Sequence, residues 1–332
     1  MDSTKIDFMK VDQVITNLRK QFGHDVSHGY FHYTGVNTLF KILETDSFRA
    51  SNVRFSNDDS EERIMGDANS YMKDDYIVCF CSQGDLLSQW RGYCYDGGVS
   101  IEFEMLKSCT FSLKSSKGSI YPIVAKPLPV IYCPTKYFDY SDFYDNVTRW
   151  IDKAGLTDID PDWFFPYLKN ELFAEEDELR LVFSSNEGAL SEWIQYRDLS
   201  NGIKLPYITV MHGDQSIMQC QKCRFDVKDF SEDKIQKIFM GETVWIPEGQ
   251  DQISKYYELK KVLNDYARRH ELLIKDAHVF CKGHLPIKRI IVSPSYDQEK
   301  LIEQIGHYCS SKYWLKDVIV EGSKIPYIRP VH

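Results

Sequence analysis

Apolar residues recur at helical spacing in the first stretch of the chain and mostly at strand-like spacing afterwards. Phe8, Val11, Val14, Ile15 and Leu18 predict a helix over 5–22. The short aromatic strand GYFHYT follows, and Val36, Leu39, Phe40 and Leu43 then line one face of a second helix. FRAS and VRFSN read as short extended pieces around a loop. DDYIVCFCS, VSIEFE, ELRLVFS, KLPYITV and IKRIIVS predict strands, and YPIVAKPLPVIYC suggests more. DLLSQWRGYCY, between the first two of these, reads as a helical or irregular turn.

Residues 137–173 are rich in aromatics and acids and read as helices laid over a sheet. Ile253, Tyr256, Leu259, Leu263 and Tyr266 predict a long helix over 252–274, and another helix runs from Asp297 to about Cys309. Strands and helices mix without a regular βαβ rhythm, which favours an α+β fold over a doubly wound sheet. The expected division is an N-terminal helix, 1–28, and one α+β domain, 29–332, with helical insertions at about 137–175 and 252–275.

Composition adjusts this picture. The 332 residues are 43% hydrophobic, and 19 Phe and 21 Tyr point to a core of rings. The formal net charge of −9 argues against a broad grip on duplex DNA or an anionic membrane, although a local basic groove stays open. The first twenty residues lack the apolar run of a signal peptide, and no stretch approaches the ~20 apolar residues of a membrane span. Nine scattered cysteines then predict a cytoplasmic protein with reduced thiols. The sequence contains no GxGxxG after a strand, no GxxxxGK[ST], no HExxH and no GxSxG. Rossmann dehydrogenases, P-loop kinases, zincin proteases and α/β-hydrolases lose weight accordingly.

Five constellations carry candidate chemistry. In His32-Tyr33-Thr34, an imidazole can bond a ribose hydroxyl and a phenol ring can stack on a base; the plainer reading is a half-buried histidine with a local hydrogen bond. In EEDELRLVF, extended alternation would put Glu176, Glu178 and Arg180 on one face. A carboxylate there can stabilise an oxocarbenium-like carbon, or the run is a solvated acidic surface. Trp90, Arg91 and Tyr93, before the Asp96-Gly97-Gly98 turn, offer a stacking platform with a cation, or simply an anchoring Trp. Cys220 and Cys223 form a CxxC, and Cys281 and His284 a CxxH; together they could close a tetrahedral structural zinc site, or they are unrelated thiols. RFSNDDSEER marks a turn.

HYTGVNTLFKILETDSFRAS, FSNDDSEE, VCFCSQGDLLSQWRGYCYDGGVSIEF, EDELRLVF, IKRIIVSPS and SKIPYI occur in that order. The ordered set resembles the bacterial family called domain of unknown function 2971, from about residue 29 to 329. Leu179 stands where that family has an aromatic, and the Asn-Asp turn lacks its common Asp-Pro pair. The family's pattern is in turn similar to the ADP-ribosyltransferase superfamily. That resemblance implies a split, twisted mixed sheet flanked by helices and gripping NAD. It would place His32 on the adenosine-side ribose and Tyr93 or Trp90 on the nicotinamide. Glu178 would contact the nicotinamide ribose, with Arg180 and Arg91 as supporting or phosphate contacts. The implied function is NAD-dependent transfer to a macromolecule, protein or nucleic acid, in a toxin or antiphage role. The alternatives are a non-catalytic nucleotide or nucleic-acid binding module of a defence system, and a zinc-stabilised interaction protein. Membrane is not an expected partner.

Overall fold

The computed structural model describes residues 8–24, 29–55, 75–94, 97–104, 109–116, 120–134, 140–155, 159–184, 192–199, 202–213, 244–246, 279–281, 284–295 and 297–326, with isolated positions between 258 and 269. Most of the predicted helix over 252–274, whose described positions are helical, and most of the Asn-Asp turn lie outside this set.

The first helix, α1 (Phe8–Gln21), buries Val11, Val14, Ile15 and Leu18. Next come β1 (Phe31–Gly35), α2 (Val36–Thr45), β2 (Phe48–Asn52), β3 (Asp75–Cys81), α3 (Leu87–Tyr93) and β4 (Gly98–Phe103). Four strands follow: β5 (Cys109–Lys114), β6 (Ile120–Ala125), β7 (Leu128–Pro129) and β8 (Ile131–Cys133). After α4 (Tyr140–Ala154) and a 3-10 helix at Pro161–Tyr167 lie β9 (Leu168–Asn170), a second 3-10 helix at Glu171–Glu176, and β10 (Glu178–Ser184). The chain ends with β11 (Gln195–Asp198), β12 (Lys204–Gly213), β13 (Val244–Ile246), β14 (Val279–Cys281), β15 (Ile287–Val292), α5 (Gln298–Ser310) and β16 (Ile319–Gly322).

The result is an α+β protein. Among the described residues, twelve strands join one mixed, mostly antiparallel sheet, with the path β16-β15-β4-β1-β3-β2-β12-β5-β6. The β15–β16 pair is its parallel element. The sheet forks at β3. One edge of β3 pairs with β10 along its whole length, from Glu178↔Cys81 to Ser184↔Asp75. The other edge must therefore serve two strands. It meets β1 at Phe31↔Cys81, and β2 at Ser51↔Ile77 and Asn52↔Tyr76. A strand has only two edges, so β1 and β2 diverge from one another where they leave β3.

Two cores cover the sheet. One face carries the large aromatic cluster of Phe48, Phe80, Phe103, Ile101, Leu179 and Leu181, with α2 and α5 against it. The other carries a cluster from α1, α4, the Pro161–Tyr167 helix and β8, on which Val182 packs, and a smaller one around Tyr33, Cys81 and Trp90. Alternation along β10 explains the division: Leu179 and Leu181 point to the first face, and Glu178, Arg180 and Val182 to the second. No helix among the described residues is long and apolar enough to cross a membrane.

Candidate functional site

Strand β10 begins at a forced turn. Asp177 adopts φ +40 at the end of the 3-10 helix, a left-handed conformation that Asp tolerates better than most residues. Four bonds between segments hold this junction. The buried Arg19 of α1 donates from Nη2 to Asp177 Oδ1 at 2.6 Å and from Nη1 to the Val130 carbonyl at 2.8 Å. The Val130 amide in turn donates to the Glu178 carbonyl, and the Glu178 amide donates to the Tyr132 hydroxyl at 2.7 Å. The chain is thereby fixed just where the acidic run enters the sheet.

Glu178 is only 2% exposed, and its side chain sits in a charge cluster. Arg180 Nε donates to its Oε1 at 2.8 Å, and Lys169 Nζ to its Oε2 at 2.8 Å. Lys169 Nζ also donates to Glu176 Oε2 at 2.5 Å, so one ammonium serves two carboxylates. Arg180 Nη1 reaches the Pro166 carbonyl at 2.7 Å. Two carboxylates and two cations balance, and that balance lets the group persist away from water. Burial opposes ionisation of Glu178, yet Arg180 and Lys169 outweigh it and hold the carboxyl well below the ordinary range. Glu176 moves the other way: desolvation raises it, Lys169 only partly offsets this, and the charge on Glu178 adds to the rise. Burial opposes the Lys169 charge too, but Glu178 and Glu176 more than compensate, and the ammonium is held above its usual value.

Tyr93 lies within electrostatic reach of the cluster. This ring is 40% exposed at the end of α3, and its phenol is raised first by desolvation and then by the charge on Glu176. Gln89, one helical turn earlier and buried, hydrogen-bonds Glu176 and accepts from the Cys81 thiol at 3.4 Å. The thiols of Cys79 and Cys81, on the same face as Glu178, are pushed well up by burial and then by Glu178, so they stay protonated.

Glu178 and His32, expected to line one cleft, lie on opposite faces. Phe31 and Glu178 both stand directly opposite Cys81. Directly paired residues share a face and successive residues alternate, which sends His32 to the other side. Its surroundings agree: the ring meets the edges of Phe48 and Phe80, members of the large aromatic core. His32 Nδ1 bonds the Cys79 carbonyl at 2.9 Å, on the edge of β3 where the sheet forks. Burial lowers its pKa, which keeps the imidazole neutral near pH 7.

The remaining expected residues divide. Tyr33 is 7% exposed, donates to the Gln83 carbonyl and accepts from the Leu86 amide, both at 3.0 Å. Trp90 is 3% exposed, packs edge-on to Tyr33, and donates from Nε1 to Asp85 Oδ1 at 2.7 Å. Both rings are core, so neither presents a face to solvent, whereas Tyr93 is exposed. Thr34 is half-buried in β1, where its carbonyl accepts from the Cys94 thiol. Arg91 is exposed on the same short helix as Tyr93. Cys220 and Cys223 lie outside the described residues, and Cys281 ends β14. His284 has both ring nitrogens engaged, Nδ1 with Asp46 and Nε2 with Tyr313, so ligation of zinc would cost one of these bonds. Among the described residues no group of three or more His, Cys, Asp or Glu is arranged to hold a metal ion.

Compared with known proteins, the chain matches no family model, no curated protein and no solved structure. The cluster's own geometry is what bears on function. Sequence reasoning missed Lys169, Tyr132, Gln89 and Arg19. A signal for Lys169 was present: a lone lysine inside the aromatic run WFFPYLKNELF has to meet an acid once that run is buried.

Proposed function

We propose that the chain binds a nucleotide at the face of β3 and β10 that carries Glu176, Lys169 and Glu178, and transfers the ADP-ribosyl group of NAD to a macromolecule. One observation carries this reading: a single ammonium joins two carboxylates within electrostatic reach of a half-exposed tyrosine, Tyr93. Glycosyl transfer uses two carboxyl groups with different duties. One stays ionised near the developing oxocarbenium carbon while the other handles a proton, and environments that separate their acidities make the division possible. Glu178 is the ionised member. Glu176, with 14% side-chain exposure against 3% for Glu178, is the one closer to an incoming ligand. Tyr93 supplies a ring for the nicotinamide, and Arg91 a cation on the same helix. Resemblance to the ADP-ribosyltransferase superfamily supports NAD as the donor; it is a fold-level analogy. His32 drops out of ligand contact in this reading and shapes the fork instead.

Incubation of the purified protein with NAD and cell extract tests the proposal. Nicotinamide release and label transfer, both lost in Glu176→Gln, are expected. Absence of both, in conditions where a known transferase works, overturns it.

A second reading, a nucleotide or nucleic-acid binding module without turnover, is favoured by the occupancy of Glu178. Both of its oxygens already accept from Arg180 and Lys169. Such a module would gain thermal stability with NAD or an oligonucleotide while consuming neither.

A further inference from the structure

We propose a second reactive site on the other side of the sheet, an Asp46–His284–Tyr313 relay that makes the Tyr313 hydroxyl a nucleophile toward activated acyl esters. It is independent of the NAD reading: Leu285 and Leu315, beside its members in sequence, belong to the core on the His32 face.

The relay is ordered from the interior outward. Asp46 caps α2 in the left-handed conformation, φ +50, and its side chain is 5% exposed. Its Oδ1 accepts from the Leu285 amide at 2.9 Å, which orients the carboxylate. Its Oδ2 lies 2.7 Å from His284 Nδ1. A carboxylate can only accept, so Nδ1 carries the proton, and in the neutral imidazole Nε2 carries the lone pair. That lone pair faces the Tyr313 hydroxyl at 2.8 Å. The imidazole plane is fixed by parallel stacking on Trp314, with centroids 4.5 Å apart and an interplanar angle of 3°. Tyr313 itself is 68% exposed. A nucleophile at the surface, a base behind it and a buried carboxylate behind the base are the three roles of nucleophilic catalysis. The indole beside the ring adds a further partner for the imidazolium.

In the step itself, Tyr313 Oη attacks the ester carbonyl carbon and its proton passes to His284 Nε2, while Asp46 stabilises the imidazolium. Collapse of the tetrahedral adduct breaks the bond to the leaving oxygen, which takes the proton from His284. An acyl ester on Tyr313 and a free alcohol result. Water then attacks that ester with His284 as base, releases the carboxylic acid and restores the phenol.

The full-length protein treated with p-nitrophenyl acetate tests this, with nitrophenol release followed by absorbance and adducts mapped by mass spectrometry. Tyr196, 62% exposed, is a control inside the same molecule. Base assistance should acetylate Tyr313 at least roughly a hundredfold faster than Tyr196, the low end of general-base effects. His284→Gln should bring Tyr313 down to the Tyr196 rate. Asp46 acts through His284 as a positioning residue. Asp46→Asn should slow acetylation and shift the imidazole ¹⁵N resonances to the Nε2–H tautomer. Equal acetylation of Tyr313 and Tyr196 in the unmodified protein, or a Tyr313 rate unchanged in His284→Gln, overturns the proposal and leaves a structural staple.

Discussion

Glu176 and Glu178 share one ammonium: Lys169 Nζ lies 2.5 Å from Glu176 Oε2 and 2.8 Å from Glu178 Oε2. Removing the cation strands two acids against Arg180 alone. Lys169→Met should destabilise the protein by about 3–5 kcal/mol, the cost of breaking a buried ion pair from one side. Urea denaturation of the variant measures it. A loss under about 1 kcal/mol would mean that the cluster is far better hydrated than its burial suggests.

The two acids should leave opposite marks on acid stability. Glu178 has a folded pKa below its unfolded value. Its contribution is present above the unfolded value of about 4.3 and is lost as the pH falls further. Glu176 is raised, so it weakens the fold as the pH rises out of that range. Glu178→Gln should therefore lower Tm at pH 7, and the gap to the unmodified protein should begin to narrow as the pH falls below about 4. Parallel Tm curves over pH 3–7 would contradict this.

His32 answers to a different window. Its pKa is lowered on folding, so the unfolded chain binds the extra proton. Its stabilisation is complete above about pH 6.5 and fades as the pH drops toward the folded value. His32→Phe keeps the ring but leaves the Cys79 carbonyl without this partner, and should cost about 1–3 kcal/mol. Nucleotide-induced thermal shifts, attributed here to the other face, should be unchanged in that variant. Their disappearance would return His32 to the ligand site.

Gly29 reports on how closely the backbones approach before β1. A Cβ at this position would come within 1.9 Å of the Ser82 carbonyl oxygen, and backbone cannot swing aside as a side chain can. Gly29→Ala should lower stability by about 1–3 kcal/mol, as overpacking does. Calorimetry with Gly35→Ala as the comparison decides it, since a Cβ at Gly35 meets nothing within 4 Å.

Asp85 fastens the C-terminal segment. It accepts from Ser323 Oγ at 2.5 Å and from the Lys324 amide at 2.8 Å, in addition to the Trp90 indole. Asp85→Ala should release that segment. Faster trypsin cleavage at Lys324 and faster exchange of its amide are the readouts, and protection equal to the unmodified protein would show that Asp85 is dispensable there.

Much of the fold was legible because it depends on local periodicity. The helix expected over 5–22 is α1 (Phe8–Gln21), and ELRLVFS is β10 residue for residue. β5 passed unnoticed, since CTFSLK alternates without a dense apolar run and owes its place to β12 and β6. The site was legible only in part, for the same reason. Alternation correctly put Glu178 and Arg180 on one face. It put Glu176 there as well by assuming an extended chain, whereas Glu176 reaches the cluster from a 3-10 helix through a left-handed Asp177. Nor could sequence order reveal that His32 looks away from Glu178, because that follows from both strands meeting Cys81 in one register. Trp90 and Tyr33 read as ligand platforms in one dimension; in three they use their polar atoms on Asp85 and on Gln83 and Leu86.

The fork at β3 also bears on how the chain is made. This strand borders segments near residues 31, 52 and 178–184, the last about a hundred positions downstream of β3. During synthesis its β10 edge stays open until Ser184 has emerged, with Ile77, Val78 and Phe80 along an unpaired apolar strand. Long-range closure of this kind is slow, and an open apolar edge pairs readily with a neighbouring chain. Nascent chains ending before β10 are therefore the stage at which this protein most needs a chaperone.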